Sequence, residues 1–198
     1  MSIVITGNPG VGKHTITEKI SEIMKLSIID INKIAKNLGL FEQNDDTNDV
    51  DVDNLEKIIK QKISDKDIIV GHLAPYVLRK NQVKTMIVLR RSPYDLIPVY
   101  NDRKYAEKKI RENTGSEILG IIANDAIDRF QEKTFQVNVS GKTISEVVKN
   151  VMSIIVKNEG NEEVDWLELV RTNNDLGKFF VDWLNNAFEL MKLLVWDI

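Results

Sequence analysis

Between Ile5 and Thr17 the chain reads ITGNPGVGKHTIT, with glycines at Gly7, Gly10 and Gly12 and Lys13 directly after the last of them. The run satisfies G-x-x-x-x-G-K-[ST] except at its final position, where His14 replaces the hydroxyl residue that ordinarily helps hold Mg²⁺. Such a loop works through its backbone. Glycines let successive N–H groups turn toward one point and let a phosphate approach closely. The N-terminus of a following helix adds partial positive charge, and a lysine in the place of Lys13 adds a point charge for β- and γ-phosphates. The candidate phosphate contacts are therefore Gly10, Val11, Gly12, Lys13, His14 and Thr15. The His14 imidazole has two readings: an outward, solvated ring, or a cation that acts on the phosphates directly.

A phosphate loop needs a strand before it and a helix after it, and the surrounding pattern supplies both. Five apolar, β-branched runs are predicted as strands: IVIT from Ile3, LSIID from Leu26, DIIVG from Asp67, TMIVLR from Thr85 and FQVNV from Phe135. Helical faces separate most of them. Ile16, Ile20, Ile23 and Met24 form one face, and Leu55, Ile58, Ile59 and Ile63 another. Ile118 to Phe130 predicts one longer, well-buried helix, including Leu119, Ile121, Ile122, Ala126 and Ile127. Thr143 with Glu146 reads as a capping box opening a helix that turns Val147, Val148, Val151, Met152, Ile154 and Ile155 inward. Strands of continuous apolar character alternating with helices predict an α/β fold, a parallel sheet covered on both faces. Ligands of such sheets bind beyond the carboxyl ends of the strands, where the glycine loop falls.

Charge is unevenly spread. The 198 residues carry a net −3, yet Glu42 to Glu56 holds seven acids and no base, and Arg79 to Arg111 holds ten bases against three acids. A basic block of that kind suits a polyanion, nucleotide phosphates or nucleic acid, or else is a solvated lysine-rich face. Residues 161–198 carry eight acids, three bases and all three tryptophans. There Leu176, Phe180, Trp183, Ala187, Leu190 and Leu194 step by four and three, predicting an amphipathic helix that packs on its own core, on a second copy or on a partner. The absence of cysteine excludes disulfides and thiolate chemistry. No basic-then-apolar leader and no run long enough to span a bilayer are visible, so a cytoplasmic location without a membrane role is expected.

GNPGVGKHT resembles the adenylate-kinase form of the loop, G-x-P-G-x-G-K-G-T. In that family Mg²⁺ is held largely by nucleotide phosphates and water, so His14 need not disable the site. Thr15 still offers a hydroxyl. VLRRSPYDL from Val88 and NDRKYAEKKIRENTGSEI from Asn101 look like the arginine strand and the closing lid of small nucleotide kinases. The Arg103–Lys109 stretch, R-K-Y-A-E-K-K, is the most specific match. It is similar to one branch, the adenylate-kinase-like P-loop proteins of archaea and the eukaryotic nucleus (the isoenzyme-six type), which also assist small-ribosomal-subunit maturation.

The resemblance implies a P-loop nucleoside monophosphate kinase fold with a five-stranded parallel sheet over residues 1–158. It places an acceptor-nucleotide arm at about 29–54 and a lid at about 102–113, followed by a helical extension over 159–198. It implies Lys13, Arg103 and His72 as catalytic residues, with Arg103 also contacting ATP. Arg90 either faces donor or acceptor phosphates or is an ordinary rim charge. Relatives carry an acid-x-His element at the third strand. Here His72 matches and Val70 stands in the acid's place, so His72 is either a phosphate- or water-orienting residue or a structural one. Thr15 and Asp30 are left as candidates toward Mg²⁺, while Asp67 begins its strand and points away.

Two activities are consistent with these features. One is an adenylate kinase, ATP + AMP = 2 ADP, with intrinsic ATPase activity and AMP or another monophosphate as partner. The alternative is an ATP-dependent assembly factor that chiefly hydrolyses ATP while engaging a small-subunit ribosomal protein or pre-rRNA.

Overall fold

A computed structural model of the chain describes residues 1–44, 47–64 and 66–180. Contacts group them into two compact units, Met1–Arg91 with Ile121–Val164, and Ser92–Gly120 with the segment from Asp165. The first unit begins with β1 (Ser2–Thr6), α1 (Lys13–Met24), β2 (Ser27–Asp30) and α2 (Ile31–Asn37). An antiparallel hairpin follows, β3 (Phe41–Asn44) and β4 (Thr47–Val50), then α3 (Val52–Lys62), β5 (Asp67–Val70), α4 (Ala74–Val77) and β6 (Val83–Arg90). In the second unit lie α5 (Pro93–Asp102) and α6 (Glu107–Ile118). The chain returns to the first unit with α7 (Ile121–Phe130), β7 (Thr134–Asn138) and α8 (Ile144–Lys157), and the last described residues, in the second unit, form α9 (Trp166–Thr172) and a helical segment at 176–180.

The five expected strands form one parallel sheet in the order β2-β5-β1-β6-β7. β1 is central and buried throughout, as a strand covered on both faces must be. Alternate residues serve opposite faces. Val4, Ile69, Met86 and Val88 pack with Leu55 and Ile59 of α3 and with Ala126 and Phe130 of α7. On the other face α1 and α8 pack together and cover β5 and β7. The register aligns Ile5 with Val70, Val70 with Asp30, and Thr6 with Val88. The carboxyl ends of four strands thus meet around the loop after β1.

Two local expectations are corrected. Ile23 is 55% exposed: α1 buries Thr17 with Ile16 and Ile20 of the expected face, while Ile23 falls in its last turn. The helix expected from Ile118 to Phe130 is two helices. Gly120, at φ +64°, ends α6, and Leu119, Ile121 and Ile127 are exposed at or beyond the break. In the tail Phe179 is buried and Leu176 exposed, while most of the expected stripe, Trp183 onward, lies outside the described residues. The capping box is present: Thr143 accepts from the Glu146 backbone N–H, and the Glu146 carboxylate accepts from that of Thr143. Among the described residues no helix is long and apolar enough to cross a membrane.

Candidate nucleotide site

At the end of β1 the chain turns through Gly7, Gly10 and Gly12 with φ of +129°, +88° and +90°. At Gly7 a Cβ would stand 2.3 Å from the Leu89 carbonyl oxygen, so only glycine lets the loop pass beneath β6. Gly12 precedes α1 as its N-cap and contributes no side-chain hydrogen bond, and the first turn of α1 carries no acid. The N–H groups there keep their capacity for an anion.

Lys13 is buried, with Nζ donating to the Asn8 carbonyl at 2.7 Å. Arg91, following β6, donates from its guanidinium to the Gly10 carbonyl at 3.1 Å. Two cations therefore flank one loop, and the second was not singled out from the sequence. Thr15 is exposed on the first turn of α1, and Val11 is buried.

The junction of β2 and α2 engages both histidines of the chain. Asp30 caps α2 by accepting from the Lys33 backbone N–H at 3.0 Å, and its other oxygen lies 2.8 Å from His14 Nε2. Two residues later Asn32 meets His72, which follows β5: Asn32 Oδ1 accepts from the His72 backbone N–H at 3.1 Å. Nothing in the spacing of Asn32 signalled this, since the two residues lie 40 apart in the chain. Below the junction an open cleft of about 800 Å³ runs along β2, with His14 and Asp30 among its lining residues.

Val70 is wholly buried and supplies no carboxylate at this level. Asp67 sits at the opposite end of β5, where its carboxylate accepts from the backbone N–H and hydroxyl of Ser64, each at 2.7 Å. Arg90 is not a rim charge: it is 3% exposed and donates to Gln136 Oε1 on β7 at 2.6 Å.

A family profile described as an AAA domain matches residues 3–120. A Pyrococcus furiosus protein named "Putative adenylate kinase" is 31% identical over 174 residues, 85% of this chain and 93% of its own length. A Methanosarcina barkeri protein of the same name is 31% identical over 187 residues, 86% of this chain and 100% of its own. The chain belongs to the archaeal adenylate-kinase-like P-loop family. Solved structures similar to this adenylate-kinase-like chain include the shikimate kinases of Aquifex aeolicus (TM-score 0.51, 16% identity, 80% of this chain and 98% of that one) and Bacteroides thetaiotaomicron (0.50, 13%, 78% and 98%). At these identities the likeness is one of fold.

In this adenylate-kinase-like chain the second unit carries the segment expected as a lid. Arg103 ends α5, Lys104 adopts φ +54°, and the chain re-enters a helix after Ala106. Tyr105 stacks on Tyr100 at 5.6 Å, and Lys109 lies over the Tyr105 ring at 4.9 Å, which stiffens the turn. Arg103, Lys104, Lys108, Lys109 and Arg111 are all exposed. Beneath them Trp166 Nε1 donates to the buried Glu117 carboxylate at 3.0 Å, tying α9 to α6.

Among the described residues no three His, Cys, Asp or Glu side chains gather as a metal cluster. The oxygen donors that are present, the Thr15 hydroxyl and the Asp30 carboxylate, suit a hard cation that brings most of its ligands with it. Mg²⁺, which keeps several waters and phosphate oxygens, is such a cation.

Proposed function

We propose that this chain is an adenylate kinase that transfers the γ-phosphoryl group of ATP to AMP. An acceptor phosphate oxygen attacks the γ-phosphorus, and the bond to the β–γ bridging oxygen breaks, giving two ADP. The observation that carries this reading is the adenylate-kinase form of the loop, with the buried Lys13 opening α1 directly after the Gly12 N-cap. The names of the archaeal relatives support it.

Transfer of this kind needs little covalent help. It needs in-line placement and positive charge around the migrating group. Lys13 supplies that charge from the loop, and Arg103 supplies it from the lid by resemblance. Arg91 holds the Gly10 carbonyl and so the shape of the loop. When bound, Mg²⁺ would be held by the phosphates, with Thr15 and Asp30 toward its oxygens and waters, and would neutralise charge between the β- and γ-phosphates.

His72 orients the acceptor phosphate. A phosphate acceptor is already anionic, whereas an attacking water must be oriented by a polar group. Val70 offers none, so transfer dominates over hydrolysis and the ATPase activity is the slower of the two. Closure of a basic lid excludes water and favours the same outcome.

The test is product analysis with ATP, Mg²⁺ and each nucleoside monophosphate, beside Lys13→Ala. ADP forming in step with AMP consumption, and lost in the variant, supports the proposal. Phosphate released without need of AMP overturns it in favour of an ATP-driven switch.

The exposed cations of the α5–α6 turn support a second role, nucleotide-dependent engagement of a small-subunit ribosomal precursor. Its test is co-sedimentation with precursor particles in ATP against ADP. Association in neither state rejects that role.

A further inference from the structure

Asn32 holds His72 at two points. Besides accepting from the His72 backbone N–H, the Asn32 side chain places Nδ2 at 2.5 Å from His72 Nδ1, with Nε2 at 3.5 Å from the same atom. The first bond settles which way the amide faces, because a main-chain N–H only donates and so must meet the amide oxygen. Nδ2 is therefore the atom beside the ring, and it too only donates. Nδ1 must present its lone pair, which puts the ring proton on Nε2.

We infer that Asn32 is a positioning residue that fixes His72 as the neutral Nε2–H tautomer. His72 then serves as a hydrogen-bond donor to a phosphoryl oxygen rather than as a proton acceptor. The inference deepens the phosphoryl-transfer reading above and rests on it for the identity of the oxygen.

The surroundings are built for this clamp. Gly71 has φ +153°, and a Cβ there would stand 2.4 Å from Asn32 Oδ1, so the amide occupies space that only glycine leaves. Val70, the neighbour two residues before His72, is apolar and fully buried, so it offers the ring no carboxylate, and the group bonded at Nδ1 is an amide from α2. The difference is chemical. A carboxylate accepts from Nδ1–H and frees the Nε2 lone pair to act as a base, while an amide N–H does the reverse.

The chain has two histidines, so long-range ¹H–¹⁵N correlation of the ¹⁵N-labelled protein near neutral pH reads both rings, and His14→Gln assigns them. The expected spectrum shows His72 with an unprotonated Nδ1 and a protonated Nε2. Asn32→Asp, which still accepts from the His72 backbone N–H, moves the proton to Nδ1, and Asn32→Ala gives averaged tautomers.

In the kinase assay Asn32→Asp lowers kcat by roughly 10- to 100-fold, the scale of one hydrogen bond to a charged group, with KM for ATP unchanged. A wild-type spectrum with the proton on Nδ1, or one that matches Asn32→Ala, overturns the tautomer whatever the activity. The expected spectrum with kcat indifferent to Asn32→Asp overturns the role in transfer. A wild-type protein that phosphorylates no monophosphate removes the kinase reading instead, and with it the oxygen assigned to His72, while the tautomer is still judged by the spectrum.

Discussion

His14 Nε2 lies 2.8 Å from Asp30 Oδ2, so the residue that interrupts the phosphate-loop pattern is bonded to the carboxylate that caps α2. The pair is open to water, with the His14 side chain 59% exposed, and such pairs contribute about 0.2–1 kcal/mol. His14→Ala is therefore expected to change ATP affinity by less than about fivefold. Lys13→Ala, which removes the buried cation of the loop, is expected to lower transfer by roughly 100-fold or more. Calorimetric titration with ATP and the ADP-forming assay compare the two. A His14→Ala defect as deep as that of Lys13→Ala would mean that the ring acts on the phosphates itself.

Two glycines of one loop should fail differently. A Cβ at Gly7 meets the Leu89 carbonyl at 2.3 Å, whereas one at Gly12 meets nothing within 4 Å. Gly12→Ala incurs only the strain of its positive φ, about 1–3 kcal/mol. Gly7→Ala adds a backbone collision that must displace β6 or the loop. Thermal denaturation should show the larger fall in Tm for Gly7→Ala. Equal falls would show that φ alone decides both positions.

Arg90 is buried, and Gln136 on β7 accepts from its guanidinium. Gln136→Ala withdraws that acceptor from a buried charge, and the expected cost is about 1–3 kcal/mol. For a chain of this size that is a fall in Tm of roughly 2–4 °C per kcal/mol. Calorimetry checks it, and an unchanged Tm would show that the guanidinium is held without β7.

Stability should fall at high pH through Tyr76. Burial first, and then the hydrogen bond and negative charge of Asp125 at 2.5 Å, hold the Tyr76 hydroxyl well above the ordinary phenol value. The folded protein thus keeps a proton that the unfolded chain releases near pH 10. The contribution is complete below about pH 10 and shrinks as pH rises above it. Urea denaturation between about pH 8 and pH 11 should show this loss in the wild type and a flatter profile for Tyr76→Phe. Parallel profiles would assign the alkaline loss to other groups.

Strands and the loop setting were legible in the residues because both are local. Short β-branched runs identify β1, β2, β5, β6 and β7, and the strand, glycine turn and helix around Lys13 are contiguous. The Thr143–Glu146 capping box is local in the same way. The hairpin of β3 and β4 was not legible, since FEQN and TNDV show no alternation of apolar with polar residues. Nor was the break at Gly120, because apolar residues on both sides kept a helical period that exposure of Leu119 and Ile121 contradicts.

Contacts across the sheet lie further still from the linear pattern. Strand order and register bring the carboxyl ends of β2 and β5 level, and only that alignment lets Asn32 reach His72 across 40 residues of chain. Backbone-local chemistry is written in consecutive residues. The partner of a side chain depends on which strands become neighbours, and burial of the whole core makes that choice.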